Sequence, residues 1–158
     1  MKARLTLLVV LFVFSGLLAA AAEDFDPIAL IGLDLPGAVG ALGLPQKMFA
    51  YRGVEEGQDN VVFYYPDYRY LFWYKDRVWQ VRCDRRFTGQ VLGLSLGMSR
   101  DEVEKISATY PAPSSQRQLV ENGDSLYFDL DGEKYPLRVR LVFAANLLTD
   151  LYVYRSDF

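Results

Sequence analysis

The sequence predicts an α+β fold: two tandem helix–β-meander repeats forming an antiparallel sheet with helices on one face. Three observations predict it. Ile31-Gly32-Leu33-Asp34 recurs 65 residues later as Leu96-Gly97-Met98-Ser99, and Val61-Val62-Phe63-Tyr64 recurs at the same shift as Leu126-Tyr127-Phe128-Asp129. Leu71-Phe72-Trp73 recurs 70 residues later as Leu141-Val142-Phe143, and Val78 and Val81 then recur as Leu148 and Leu151. Each copy reads as a capped helix followed by strand-like stretches, which is the pattern of helices packed on an antiparallel sheet. Self-similarity of this kind outranks local signals, because it fixes the architecture. The expected units are a leader over residues 1–22, a first repeat over 23–88 and a second over 89–158.

The leader comes first. Lys2 and Arg4 precede an almost wholly apolar run from Leu5 to Leu18, and Ala20-Ala21-Ala22 supplies small residues before Glu23. That is the pattern of a secretory signal peptide, with cleavage expected after Ala22. The alternative is an uncleaved anchor, for which the apolar run is short against a span of about 20 residues. Next, Asp34 caps a helix with Pro36 in its first turn, and Ala38, Val39, Ala41 and Leu42 give it an apolar face. Gly37 and Gly40 weaken it by about 1 kcal/mol each relative to alanine. Gly43 and Pro45 end it. In the second copy Ser99 and Glu102 form a capping box, Val103 and Ile106 face inward, and Pro111 and Pro113 stop the helix.

Strands are expected over Val61–Tyr65 and Leu126–Leu130, from their β-branched and aromatic content. Hairpins are expected over Tyr68–Tyr74 and Arg77–Cys83, turning at Lys75-Asp76, and over Leu137–Phe143 and Leu147–Tyr154, turning at Ala145-Asn146. Extra edge strands fit Met48–Tyr51 and Gln116–Val120, and Arg85–Gln90 reads as the connector.

Composition removes several function classes. The chain has no histidine and one cysteine, so Cys/His zinc sites and the commonest general base are excluded. No cofactor and no metal are expected, nor any catalytic residue. With Lys2 and Arg4 gone, 15 basic residues face 20 acidic ones. That balance, about −5, argues against a nucleic-acid partner. No apolar run after the leader is long enough to cross a membrane. Cys83, among Arg82, Arg85 and Arg86, reads either as a small strand residue or as a thiol activated by guanidinium groups. Asp129, Asp131 and Glu133 read as a polar turn, with only a faint likeness to a calcium loop.

The strongest functional cue is aromatic. Nine aromatic residues crowd between Phe63 and Trp79. Strand alternation puts Tyr68, Tyr70, Phe72 and Tyr74 on one face, and Arg69, Leu71, Trp73 and Lys75 on the other. Leu137, Val139, Leu141 and Phe143 match the face of Leu71 and Trp73, which makes that face the core. Arg138 and Arg140 match Tyr68 and Tyr70, and arginine prefers water. The expected partner-binding stripe is therefore Tyr68, Tyr70, Phe72, Tyr74 and Trp79 with Arg138 and Arg140, residue types enriched in binding hot spots. The competing reading packs these rings on one another across strands.

Leu96-Gly97-Met98-Ser99-Arg100-Asp101-Glu102-Val103 resembles the opening motif of the BamE-like (SmpA/OmlA) family, and Leu141 to Leu151 resembles that family's hairpin. Two such units in tandem are similar to the plan of the β-lactamase inhibitory proteins. The resemblance implies an envelope or secreted protein that binds other proteins without a cofactor. The expectation is an exported, non-catalytic protein-binding module of the bacterial cell envelope, periplasmic or secreted, whose open sheet face meets a protein partner. The rivals are a cell-wall glycan-binding module and an accessory component of an outer-membrane assembly complex.

Overall fold

The computed structural model describes residues 24–52, 60–110, 120–122 and 124–157. The leader, its cleavage junction after Ala22 and the expected strand residues 116–119 lie outside the described residues. The fold is mostly β. An eight-stranded antiparallel sheet dominates it, in the order β2-β3-β4-β5-β11-β10-β9-β8. Its strands are β2 (Lys47–Tyr51), β3 (Asn60–Tyr64), β4 (Arg69–Tyr74), β5 (Arg77–Asp84), β8 (Val120–Asn122), β9 (Ser125–Asp131), β10 (Pro136–Ala144) and β11 (Leu147–Arg155). A small second sheet joins β1 (Asp24–Phe25), β6 (Gln90–Val91) and β7 (Leu94–Ser95).

This corrects the expected α+β architecture of helix–meander repeats. The helices are two eight-residue segments, α1 (Leu35–Leu42) and α2 (Arg100–Ser107), and they do not form a layer over the sheet. The physical reason is what they can bury: α1 buries only Ala38, and α2 only Val103 and Ser107. The core face is covered instead by irregular chain and the small sheet. Phe25, Leu30, Ile31, Phe87, Val91 and Leu94 pack there against Leu71, Val81, Leu141 and Leu151. The stretch Arg85–Gln90, expected as a plain connector, thus leads into the β6–β7 hairpin, and β6 pairs in parallel with β1.

Local chemistry explains the elements. Asp34 accepts from the Gly37 N–H at 3.0 Å. Ser99 and Glu102 close a capping box, with the Ser99 N–H donating to Glu102 at 2.9 Å. Both hairpins turn on two residues of positive φ, Lys75-Asp76 and Ala145-Asn146, the conformation whose twist suits antiparallel strands. Each hairpin then carries a bulge. Trp73 pairs with Val78 and Phe72 with Gln80, leaving Trp79 extra; Phe143 pairs with Leu148 and Val142 with Asp150, leaving Thr149 extra.

The residue before each extra one receives the segment leading into the helix. Gly32 N–H donates to the Val78 carbonyl at 2.7 Å and Val78 N–H to Leu33 at 3.0 Å. Gly97 N–H and the Leu148 carbonyl, with Leu148 N–H and Met98, repeat the clamp at 2.8 Å each. Gly32 is needed twice over: its φ is +85°, and a Cβ there would meet the Tyr135 ring at 2.5 Å.

Phe143 is 3% exposed and packs in the core, with the Arg100 guanidinium over its ring at 4.6 Å. Phe143→Ala is expected to destabilise the protein by about 3–5 kcal/mol in denaturant titration. A loss below about 1 kcal/mol would place the ring on the solvent side.

Candidate functional site

The sheet face turned away from the core carries an interleaved row of tyrosines and arginines. Alternation puts one side chain from each strand at the same level, and the pairing register aligns them: Tyr64 with Tyr70, Tyr70 with Arg82, Arg82 with Tyr152, Tyr152 with Arg140, and Arg140 with Tyr127. The rings of Tyr64 and Tyr70 lie 5.0 Å apart. The Arg82 guanidinium lies 5.1 Å from the Tyr70 ring centre and 5.5 Å from that of Tyr152. Arg140 lies 5.5 Å from Tyr152 and 5.8 Å from Tyr127. These separations are within the range of cation–π attraction. Because β5 and β10 flank β11 on opposite sides, Arg82 and Arg140 reach the Tyr152 ring from the two neighbouring strands.

Hydrogen bonds hold the row still. Arg82 donates to Asp150 at 2.9 and 2.5 Å. Burial opposes the charge on Arg82, but the hydrogen bond to Asp150 and the nearby Tyr152 keep its pKa above the ordinary value. Asp84 sits opposite Asp150 across the β5–β11 pairing, a like-charge juxtaposition that needs cations on both sides. Arg82 serves Asp150, and Arg86 serves Asp84 at 2.6 and 3.1 Å. Tyr70 adds its hydroxyl to Asp84 at 2.8 Å. Burial would raise the Asp84 pKa; hydrogen bonds from the Arg86 side chain and backbone and from Tyr70 bring it down to about 2. Burial raises the Tyr70, Tyr152 and Tyr154 pKa values, so these hydroxyls stay protonated. Among the described residues no carboxylate pairs with Arg140, whose Nε donates to the Ser125 hydroxyl at 3.4 Å.

The stripe expected from sequence is redrawn by this geometry. Tyr70, Arg138 and Arg140 stand on the face, with Arg138 held by Asp129 at 2.7 and 3.1 Å. Trp79 also reaches this face, as the extra residue of the bulge. It meets Tyr154 edge-on at 6.4 Å and donates to Asn60 at 2.6 Å. Phe72 is corrected: it is 7% exposed, because Val62 pairs beside it and the Tyr51 ring lies edge-on over it at 5.8 Å. Tyr68 is corrected as well. It precedes β4 in a turn, with φ 68°, and packs under the Arg86 guanidinium at 4.2 Å. Tyr74 ends β4 and lines a cavity beside the hairpin turn.

The sequence reading missed Tyr64, Arg82, Tyr127, Tyr152 and Tyr154. Alternation along Leu151–Arg155 carried a signal for the last two, but only the β5–β11 pairing joins them to Arg82. The oxygens of Asp129 are taken by Arg138, and no group of three metal-ligating side chains occurs among the described residues.

No protein-family model and no curated protein matches this chain. A solved extracellular protein containing a SCP domain, from Bacillus anthracis str. Ames, is similar with a TM-score of 0.51 and 15% identity. The match covers 84% of this chain and 46% of that one, so the chain spans about half the length of that protein. The likeness is one of fold. A DUF4309 family protein from Bacillus subtilis subsp. subtilis str. 168 matches at a TM-score of 0.41 and 15% identity, over 78% of each chain. Neither is described as BamE-like or as a β-lactamase inhibitor. Among the described residues no helix is long and apolar enough to cross a membrane.

The Asp84 pKa lies below its ordinary 3.8, so its stabilisation is complete above that value and is lost as pH falls through about 2. The expected loss is about 2 kcal/mol over that interval, and Asp84→Asn should flatten this part of a pH series of urea titrations. Cys83 is buried, and burial pushes its thiol up to about 12. A thiol-specific reagent near pH 8 should leave the native protein unlabelled and label it fully on denaturation.

Proposed function

We propose that the protein is an exported, non-catalytic binding module whose leader is removed after Ala22, and that its tyrosine–arginine face receives a protein partner. One observation carries the reading: the Tyr152 ring has the guanidinium groups of Arg82 and Arg140, from the strands on either side of β11, each 5.5 Å from its centre. A sugar stacks on a bare ring face. Inside this row guanidinium groups lie over the Tyr70, Tyr127 and Tyr152 rings, so the face presents tyrosine–arginine pairs in place of bare rings. These are the groups that anchor protein interfaces, where tyrosine and arginine dominate hot spots. The row is already ordered by Asp84 and Asp150, so little side-chain entropy remains to be lost on binding. Arg140, without a carboxylate among the described residues, is the group a partner's carboxylate would meet. The leader pattern supports export, and the resemblance to the BamE-like family points the same way.

A cell-wall glycan is favoured by one feature only: Phe49 and Tyr51 are exposed rings on the edge strand β2. Affinity capture from exported fractions, with the wild type and Arg140→Gln as paired baits, separates the two readings. The expected outcome is a protein retained by the wild type. Titration of that protein, once purified, should show about tenfold weaker binding to the folded variant, a difference of about 1.4 kcal/mol. Retention indifferent to Arg140, or cell-wall fragments bound in place of a protein, would sink the proposal.

A further inference from the structure

The two edges of the large sheet are built differently. The β8 edge is only Val120-Glu121-Asn122, with an acidic residue at its centre. The β2 edge is Lys47-Met48-Phe49-Ala50-Tyr51, exposed along its whole length. It has no proline, no bulge in its pairing with β3, and one charge, at its start. Short length, charge, proline and bulges are the devices that keep a sheet edge from pairing with another strand. The β8 edge has two of them; the β2 edge has only Lys47. Apolar surface collects at the same end. Seven large hydrophobic side chains are exposed among the described residues, and six of them, Leu35, Leu44, Met48, Phe49, Tyr51 and Val61, lie on β2 or on the chain adjoining it. Such a concentration marks an interaction site.

The pairing register shows which backbone groups of β2 are unspent. The Tyr65 N–H donates to the Arg69 carbonyl at 3.0 Å, while the Tyr64 carbonyl turns the other way and accepts from the Gln46 N–H at 2.9 Å. Bonded and non-bonded pairs alternate along an antiparallel ladder. Tyr64, Val62 and Asn60 therefore aim their backbone groups at β2, where their partners are Lys47, Phe49 and Tyr51. The N–H and C=O groups of Met48 and Ala50 point out of the edge, and no strand lies beyond β2 among the described residues.

We propose that this edge is a homodimer interface, in which β2 pairs antiparallel with β2 of a second copy, Phe49 opposite Phe49. The occupant is a second copy because the edge fits itself. A two-fold axis at Phe49 gives the one symmetric register that sets every residue of β2 against a residue of β2. Met48 then faces Ala50 of the second copy, and the hydrogen bonds of these two pairs take up all the outward-pointing groups. The two Phe49 rings meet in a non-bonded pair, where side chains come closest. Lys47 falls opposite Tyr51, so the one charge of the strand meets a ring and not its own copy. Moving the axis by one residue would set Tyr51 against Pro45, or Lys47 against Gly53, outside the strand. Pairing of this kind closes at the dimer, because both copies spend the same edge. The interface is independent of the reading of the tyrosine–arginine face.

Sedimentation equilibrium of the protein purified from the exported fraction, up to about 100 µM, is the test. The wild type is expected to dimerise with a Kd of about 10 µM or tighter. Phe49→Lys sets two cations against each other at the axis, and Ala50→Pro removes an outward N–H at an edge position that tolerates proline. Both variants should remain folded by circular dichroism and dimerise at least tenfold more weakly. Phe49→Glu should also be monomeric alone, and its mixture with Phe49→Lys should restore the dimer, because position 49 meets only position 49. A wild type that stays monomeric overturns the proposal and leaves the edge to a strand of a different protein. Unchanged affinity in the folded Ala50→Pro variant overturns it too, as does a mixture that associates no more tightly than either charged variant alone.

Discussion

Antiparallel pairing of β5 with β11 is the constraint on which the rest of the molecule depends. Each of these strands closes a local hairpin, with β4 and β10, and each hairpin can form without the other. Only when Leu151 meets Cys83 and Val153 meets Val81 do the two four-stranded halves become one sheet with one core. The same register brings Tyr152 beside Arg82 on the opposite face. A slip of one residue would turn Tyr152 into the core and break the row of rings and guanidinium groups. The register therefore has to be held, and it is held at two levels: by apolar side chains on one face, and by the Arg82–Asp150 pair on the other.

Much of this was legible in the sequence, and the parts that were not share a cause. The strand stretches, the two-residue turns at Lys75-Asp76 and Ala145-Asn146, and the caps at Asp34 and Ser99 are short-range features, written in neighbouring residues. The separation of Leu71 and Trp73 from Tyr70 also follows from alternation alone. The helical layer failed because cap and turn signals say where a helix starts, not how much it buries; α1 offers the core only Ala38. Phe72 failed because its burial depends on Tyr51, a residue two strands away in the sheet. The tyrosine–arginine row was half seen, since Arg140 and Tyr70 are joined only through β5 and β11. The bulges at Trp79 and Thr149 left no mark that alternation would reveal.

The two faces of β2, β3 and β4 show what happens where a sheet outruns its cover. On one side Tyr51 folds over Phe72 and Val62 and seals them. On the other, Val61 and Met48 remain exposed, and Trp73 keeps a donor without an acceptor. The central strands have no such asymmetry: irregular chain and the small sheet close one face, and the interlocked side chains of Tyr70, Arg82, Tyr152 and Arg140 stiffen the other. Exposed apolar surface is thus concentrated at the β2 end, and interlocked polar contacts at the centre.

The clamped hairpins also bear on how quickly the molecule can assemble. A two-residue turn brings its strands together on a microsecond scale, and the Gly32–Val78 and Gly97–Leu148 clamps lie close to those turns. The central pairing is different in kind, since Arg82 and Asp150 are 68 residues apart. Closing a loop of that length gives up chain entropy before any contact repays it. Each half is a rapid local event, and the time to reach the native state is governed by the search of one hairpin for the other.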